Sequence, residues 1–213
     1  MKTKLLVALS TFVLVFSACQ KDPDDTDNNN GGTDTEDYQP TSAGSTWQYS
    51  STNAGSYTET ALPGDTTISG QKYFIIQSTD NDRRYINKNG GIYTQYGYVE
   101  EIDETLNLVY LKDAAVGTTW EQSVDYNGVP VVFDFTIVSR DGDKVVNGTT
   151  YNNVVAVDLE VKANSPLVGG EVTIATGRQF YAKGVGSISS SLNFSALGTE
   201  ISDSTYLVSY DIK

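Results

Sequence analysis

From Val155 to Lys162 the chain alternates: Val155, Val157, Leu159 and Val161 fall on one face of an extended backbone, and Ala156, Asp158, Glu160 and Lys162 on the other. A period of two fits a strand with one face buried and one wet, because successive side chains of a strand point to opposite sides. The same alternation, and the same one-sided burial, is expected at Val131, Phe133, Phe135 and Ile137, at Tyr206, Val208, Tyr210 and Ile212, and more loosely at Leu106, Leu108 and Tyr110. Turn signals punctuate these runs: Pro63-Gly64-Asp65, Asn89-Gly90-Gly91, Asn127-Gly128, Asp141-Gly142-Asp143 and Asn147-Gly148. No window after Cys19 carries a capped helical period. The sequence therefore predicts an all-β antiparallel fold of some eleven or twelve short strands, either a sandwich or a strongly curved barrel-like sheet.

The chain also echoes itself. Gly44-Ser45-Thr46-Trp47 returns as Gly117-Thr118-Thr119-Trp120, and Ile68-Ser69-Gly70-Gln71-Lys72-Tyr73 as Val146-Asn147-Gly148-Thr149-Thr150-Tyr151. Tyr85, Lys88, Gly90-Gly91 and Ile92 return as Tyr181, Lys183, Gly184-Val185-Gly186 and Ile188. The order is kept while the offsets grow, as a duplication with insertions in the second copy would leave them. Half-repeats over about 44–112 and 117–213 are each too small to bury a face alone, so one domain with pseudo-twofold internal symmetry is expected.

Ahead of that domain stand an address and a spacer. Lys2 and Lys4 precede an apolar run from Leu5 to Phe16, and Ser17 and Ala18 lead directly into Cys19. This is the layout of a cleaved signal peptide over Met1 to Ala18, with an apolar run too short to span a bilayer. Cys19 is the only cysteine, so it cannot form an internal disulfide. From Gln20 to Ala43 the chain is mostly Asp, Asn, Gly and Thr; such a segment buries too little surface to repay its ordering entropy and is expected to be a disordered tether. Roughly 24 residues of it reach about 27 Å r.m.s.. Asp22, Asp24, Asp25 and Asp27 lack the glycine and distal glutamate of a calcium loop and are read as solvated spacer.

Composition narrows the function classes. The formal net charge is −13, and removing Met1 to Ala18 takes away two lysines and no acid. Without a basic patch, nucleic acid and anionic lipid head groups are poor partners. The absence of histidine removes the commonest metal ligand and the commonest general base. Glu100, Glu101, Asp103 and Glu104 supply carboxylates for a hydrolase pair but cluster in one predicted hinge. Asp141 and Asp143 flank a glycine as turn residues do, Ser189, Ser190 and Ser191 have no histidine to activate them, and the glycines after Lys183 precede no helix, which leaves no phosphate loop. No catalytic residue, metal ligand or cofactor is assigned. The candidate binding surface is tyrosine-based: Tyr96 and Tyr98 share a strand face, with Tyr85 nearby, and such rings give amphipathic area for a sugar or a protein.

The segment Leu14 to Cys19 resembles the lipobox of bacterial lipoproteins, which implies acylation of Cys19 and anchoring by lipid. Gln20-Lys21-Asp22, with Asp24 and Asp25 behind, is similar to the signal that sends lipoproteins of the Bacteroidota to the outer face of the outer membrane. Together with Gly-x-Thr-Trp, Asn-Gly-x-x-Tyr and Tyr181-Ala182-Lys183-Gly184-Val185-Gly186-Ser187-Ile188, the whole pattern looks like a group of uncharacterised Bacteroidota outer-membrane lipoproteins. Asp65-Thr66-Thr67 and Asp203-Ser204-Thr205 are similar to O-glycosylation sites of that phylum, implying Thr66 and Ser204 as acceptors. The expected function is a non-enzymatic binding or accessory role toward an extracellular glycan or a protein. A carrier of a lipid or other apolar ligand in a β-cavity, and a carboxylate-dependent hydrolase, are the alternatives.

Overall fold

The computed structural model describes residues 36–79, 82–99, 104–126, 128–165, 170–196 and 199–213. Cys19, the predicted signal segment, Glu100, Glu101 and Asp103 lie outside them. Twelve strands follow one another: β1 (Thr46–Ser51), β2 (Gly55–Ile68), β3 (Gln71–Ser78), β4 (Arg83–Asn89), β5 (Ile92–Val99), β6 (Glu104–Lys112), β7 (Thr119–Tyr126), β8 (Val129–Val146), β9 (Thr149–Ser165), β10 (Gly170–Ala182), β11 (Gly186–Ala196) and β12 (Thr199–Asp211). They form one antiparallel sheet in the order β6-β5-β4-β3-β2-β1-β12-β11-β10-β9-β8-β7. Two six-stranded meanders thus meet at the β1–β12 ladder, where Thr46 to Ser51 pair with Asp211 back to Thr205. The sheet is a barrel rather than a sandwich because pairing runs unbroken through that junction.

The repeated motifs fall on strands six apart: Trp47 and Trp120 on β1 and β7, Tyr73 and Tyr151 on β3 and β9, Tyr85 and Tyr181 on β4 and β10. The pseudo-twofold order maps the β1–β12 ladder onto the two free edges, β7 and β6. Those edges are not joined by a backbone ladder. Instead the Val109 amide donates to Gln122 Oε1 at 2.6 Å, Gln122 Nε2 donates to the Asn107 carbonyl at 3.2 Å, and Trp120 Nε1 donates to the Val109 carbonyl at 2.7 Å. Inward side chains of β7 stand between the strands, and the barrel closes through them.

The hairpins Ser69-Gly70 and Asn147-Gly148 correspond, and each puts both turn residues at positive φ (50° and 79°; 48° and 79°). That is the turn whose twist matches paired strands, and it favours asparagine and glycine. Pro63-Gly64-Asp65 and Asp141-Gly142-Asp143, predicted as turns, are not turns. They lie inside β2 and β8, at register shifts between Ala61 and Asp65 and between Ile137 and Lys144. Gly64 and Asp141 have positive φ there, so the same residue chemistry bends a long strand instead of ending it.

Val131, Phe133, Phe135 and Ile137 and Val155, Val157, Leu159 and Val161 are buried inside the barrel. A second cluster, around Trp47, Tyr49, Ile76, Ile86, Ile188 and Leu207, fills the other side. On β12 the predicted face is reversed. Tyr206, Val208 and Tyr210 are exposed, at 42%, 49% and 44%, while Asp203, Thr205 and Leu207 point inward. Here the inner wall is partly polar, so the apolar row marks the outside.

The folded body also begins earlier than residue 44. Tyr38 is fully buried and Gln39 nearly so, and the segment closes one end of the barrel. The Gly184 amide donates to the Asp37 carbonyl at 2.7 Å, Lys88 pairs with the Asp37 carboxylate at 2.8 Å, and the Tyr38 amide donates to the Tyr93 hydroxyl at 3.2 Å. Gly186, at φ 105°, lets Pro40 and the Trp47 indole approach to 3.7 and 3.5 Å from where a Cβ would stand. The acidic composition up to Asp37 hid an aromatic residue that the core needed.

Candidate functional site

Three places on this framework gather polar or aromatic groups. The first is the outer face of β3 to β6. Tyr85 and Tyr96 are cross-strand partners with ring centroids 6.3 Å apart, and Tyr73 lies 5.8 Å from Tyr96. The Tyr73 hydroxyl donates to Asn107 Oδ1 at 3.1 Å, which fixes the buried ring at the back of the group. Tyr85 and Tyr96 are half-buried and face out, since their neighbours Arg84 and Gln95 line the interior. Tyr98 pairs with Thr105 farther along β5, and its side chain lies outside the described part of the structure. Of the three predicted tyrosines, two are thus shown together, and Tyr73 joins them; its only sequence signal was its place in a repeated motif.

The second place is the outer surface of β8 to β11, where a shallow groove of about 600 Å3 carries Asp134, Asp158, Glu160, Arg178, Ser191 and Asn193. Asp134 pairs with Lys162 at 2.7 Å, Asp158 with Arg178 through two nitrogens, and Glu160 with Lys162 at 3.5 Å. Carboxylates from neighbouring strands share this groove, each held by a cation.

The third is the lumen. A cavity of about 140 Å3 lies between the two apolar clusters, and its wall includes Tyr49, Glu59, Arg84, Gln95, Tyr110 and Tyr181. Arg84 reaches inward from β4, donates from one terminal nitrogen to Glu59 Oε2 and from the other to Gln95 Oε1 at 3.1 Å, and leaves its buried Nε without a partner. Burial disfavours the guanidinium, but Glu59 together with Tyr49, Tyr110 and Tyr57 outweighs that effect, and its pKa is raised. The Tyr49 hydroxyl donates to the Ser187 carbonyl at 3.1 Å and the Tyr181 hydroxyl to Gln179 Oε1. The Tyr110 hydroxyl, buried between the rings of Tyr93 and Tyr181, has no partner. Desolvation pushes the phenols of Tyr49, Tyr110 and Tyr181 above their ordinary range. A lipid-carrying cavity does not fit here: the lumen is below the about 300–1,000 Å3 of typical ligand pockets and carries a salt bridge and hydroxyls.

The remaining predicted residues are accounted for locally. Asp141 pairs with Arg140 at 3.2 Å within the β8 bend. Lys183 lies 3.7 Å from Glu36 and over the Tyr38 ring, where it holds the entering segment. Ser190 lines the lumen and Ser191 the outer groove, alternating as strand residues do. Thr66 and Ser204 are half-buried within the paired strands β2 and β12. Among the described residues, no group of three or more acids or thiols is placed to hold a metal.

The sequence matches no protein-family model, and no curated protein matches it. Among solved structures, it is similar to a candidate lipoprotein of Parabacteroides distasonis, with a TM-score of 0.45 and 13% identity over 82% of this chain and 98% of the other. It is also similar to a candidate exported protein of Bacteroides fragilis with a YmcC-like fold, with a TM-score of 0.46 and 11% identity over 81% of this chain and 97% of the other.

Proposed function

We propose that the protein is a non-enzymatic binding lipoprotein of the outer membrane, anchored through acyl groups on Cys19 and engaging an extracellular glycan with the outer face of β3 to β6. The observation that carries this reading is the outward placement of Tyr85 and Tyr96 against Tyr73, beside the Asn107 amide. Tyrosine rings offer a flat apolar face to a pyranose and a hydroxyl to its edge, and each is worth about 1 kcal/mol in such a contact. The anchor supports the same orientation. The chain enters the barrel at Glu36 and Asp37, at the end closed by Lys88, Lys183 and Gly184, so an anchor at Cys19 holds the body through that end and leaves the strand faces free.

Affinity electrophoresis of the protein beginning at Cys19, through gels containing bacterial or host polysaccharides, tests the binding. Retardation by one polysaccharide is expected, and Tyr85→Ala with Tyr96→Ala weakens it by about tenfold or more. Wild-type protein that no glycan retards removes the reading. Palmitate labelling tests the anchor independently: the wild type takes label and Cys19→Ser does not, and label kept by the variant contradicts the acylation.

A further inference from the structure

The glycan reading leaves the lumen unused, and its wall is unlike the filled core on either side. Arg84 and Glu59 are carried on inward positions of β4 and β2, and their charges cancel against each other. Burying such a pair costs more desolvation than the attraction returns unless every remaining donor is satisfied. Three donors are not: Arg84 Nε and the hydroxyls of Tyr110 and Thr205. All three belong to residues that line the same cavity of about 140 Å3, and Arg84 and Tyr110 are the two that carry the proposal. An apolar cavity of about that volume accepts a guest of benzene size. The surrounding rings, Tyr110 at 5.8 Å from Tyr181 and Tyr49 at 5.3 Å from Tyr57, provide flat walls.

We propose that the lumen is a binding site for a small, uncharged, ring-sized molecule carrying a carbonyl or hydroxyl acceptor, which takes the hydrogens of Arg84 Nε and the Tyr110 hydroxyl. The ligand is uncharged because Glu59 already neutralises Arg84; an anion would face the Glu59 carboxylate and a cation the Arg84 guanidinium. It is ring-sized because the walls are tyrosine faces and the volume excludes anything much larger. This site is separate from the outer tyrosines, since Arg84 and Tyr85 point to opposite sides of β4.

Three probes of nearly one shape separate the contributions: benzamide, which has the acceptor and no charge; benzoate, which has the acceptor and a negative charge; and benzene, which has neither. Titration calorimetry and saturation-transfer NMR on the protein beginning at Cys19 are expected to show saturable binding of benzamide, with benzoate and benzene at least about tenfold weaker. Tyr110→Phe, which keeps the ring and removes the donor, weakens benzamide about five- to tenfold and leaves benzene unchanged. Ser190→Leu, which fills the lumen from β11, abolishes binding of all three, and circular dichroism confirms that both variants remain folded. Absence of saturable benzamide binding to wild type, benzoate binding as tightly as benzamide, or binding that survives Ser190→Leu overturns the proposal. Loss of binding in Tyr85→Ala with Tyr96→Ala also counts against it, because that result places the probe on the outer face.

Discussion

Glu59 and Arg84 show how one side chain on the wrong side of a strand reorganises a barrel interior. An arginine buried without its carboxylate is left as an uncompensated charge, so Glu59→Ala is expected to destabilise the fold by about 3 kcal/mol or more. Replacing both partners, Glu59→Leu with Arg84→Met, removes the need for compensation and is expected to lie within about 1 kcal/mol of wild type. Urea denaturation of the single and double variants separates the two cases. Nothing in the sequence marks Arg84 over its neighbour Arg83: the dipeptide reads as a polar strand start, and only the inward placement of Ile86, two residues on, puts Arg84 inside. The buried tyrosines have their own signature. Burial raises Tyr38 and Tyr93 from 10 to about 12. A group protonated more tightly in the folded state gives stability that is fully present below pH 10 and is lost as pH rises through about 12, because the unfolded chain ionises first. Stability measured by denaturant titration is therefore expected to fall with pH across that window, and more shallowly in Tyr93→Phe.

The strands were legible and their ends were not, for a physical reason. Residues that tolerate positive φ end a strand at Ser69-Gly70 and Asn147-Gly148 but bend one at Gly64 and Asp141, and a single sequence carries the same signal for both. Alternation on β12 gave the period correctly and the face incorrectly, since Thr205 and Asp203 face a polar lumen while Tyr206, Val208 and Tyr210 face water. The seam between β6 and β7 was invisible for a different reason: it depends on one glutamine reaching across with both ends of its amide. Gln122→Ala removes two of the three bonds that join those strands and leaves the Trp120 indole alone on Val109. Hydrogen exchange in the variant is expected to speed up by about tenfold at the Val109 amide while the β1–β12 ladder keeps its protection, because both lost hydrogen bonds, each of about 1 kcal/mol, lie at the seam and one of them is that amide's own. Uniform acceleration of both junctions would mean that the seam is not a separate unit.

At the scale of the molecule, Asp134, Asp158, Glu160, Lys162 and Arg178 give the outer surface of β8 to β11 a charged character, opposite to the apolar belt of a membrane-spanning barrel. The barrel's closure at the end where the chain enters is supplied by chain outside the twelve strands. Tyr38 contributes a fully buried ring packed edge-on to Tyr93 at 6.4 Å, and Asp37 receives both Lys88 and the Gly184 amide. Losing a buried aromatic side chain from a core costs about 3–5 kcal/mol. A chain cut to begin at residue 44 keeps every strand but loses that ring and both Asp37 contacts. It is expected to melt about 6–20 °C lower than one beginning at Glu36, given about 2–4 °C per kcal/mol for a domain of this size. Tyr38→Ala in the longer chain should reproduce most of the drop, whereas removing residues 20–35 should leave the melting temperature unchanged. Equal melting of the 36- and 44-start chains would show that the barrel end closes without the segment, and would return residues 36–43 to the tether.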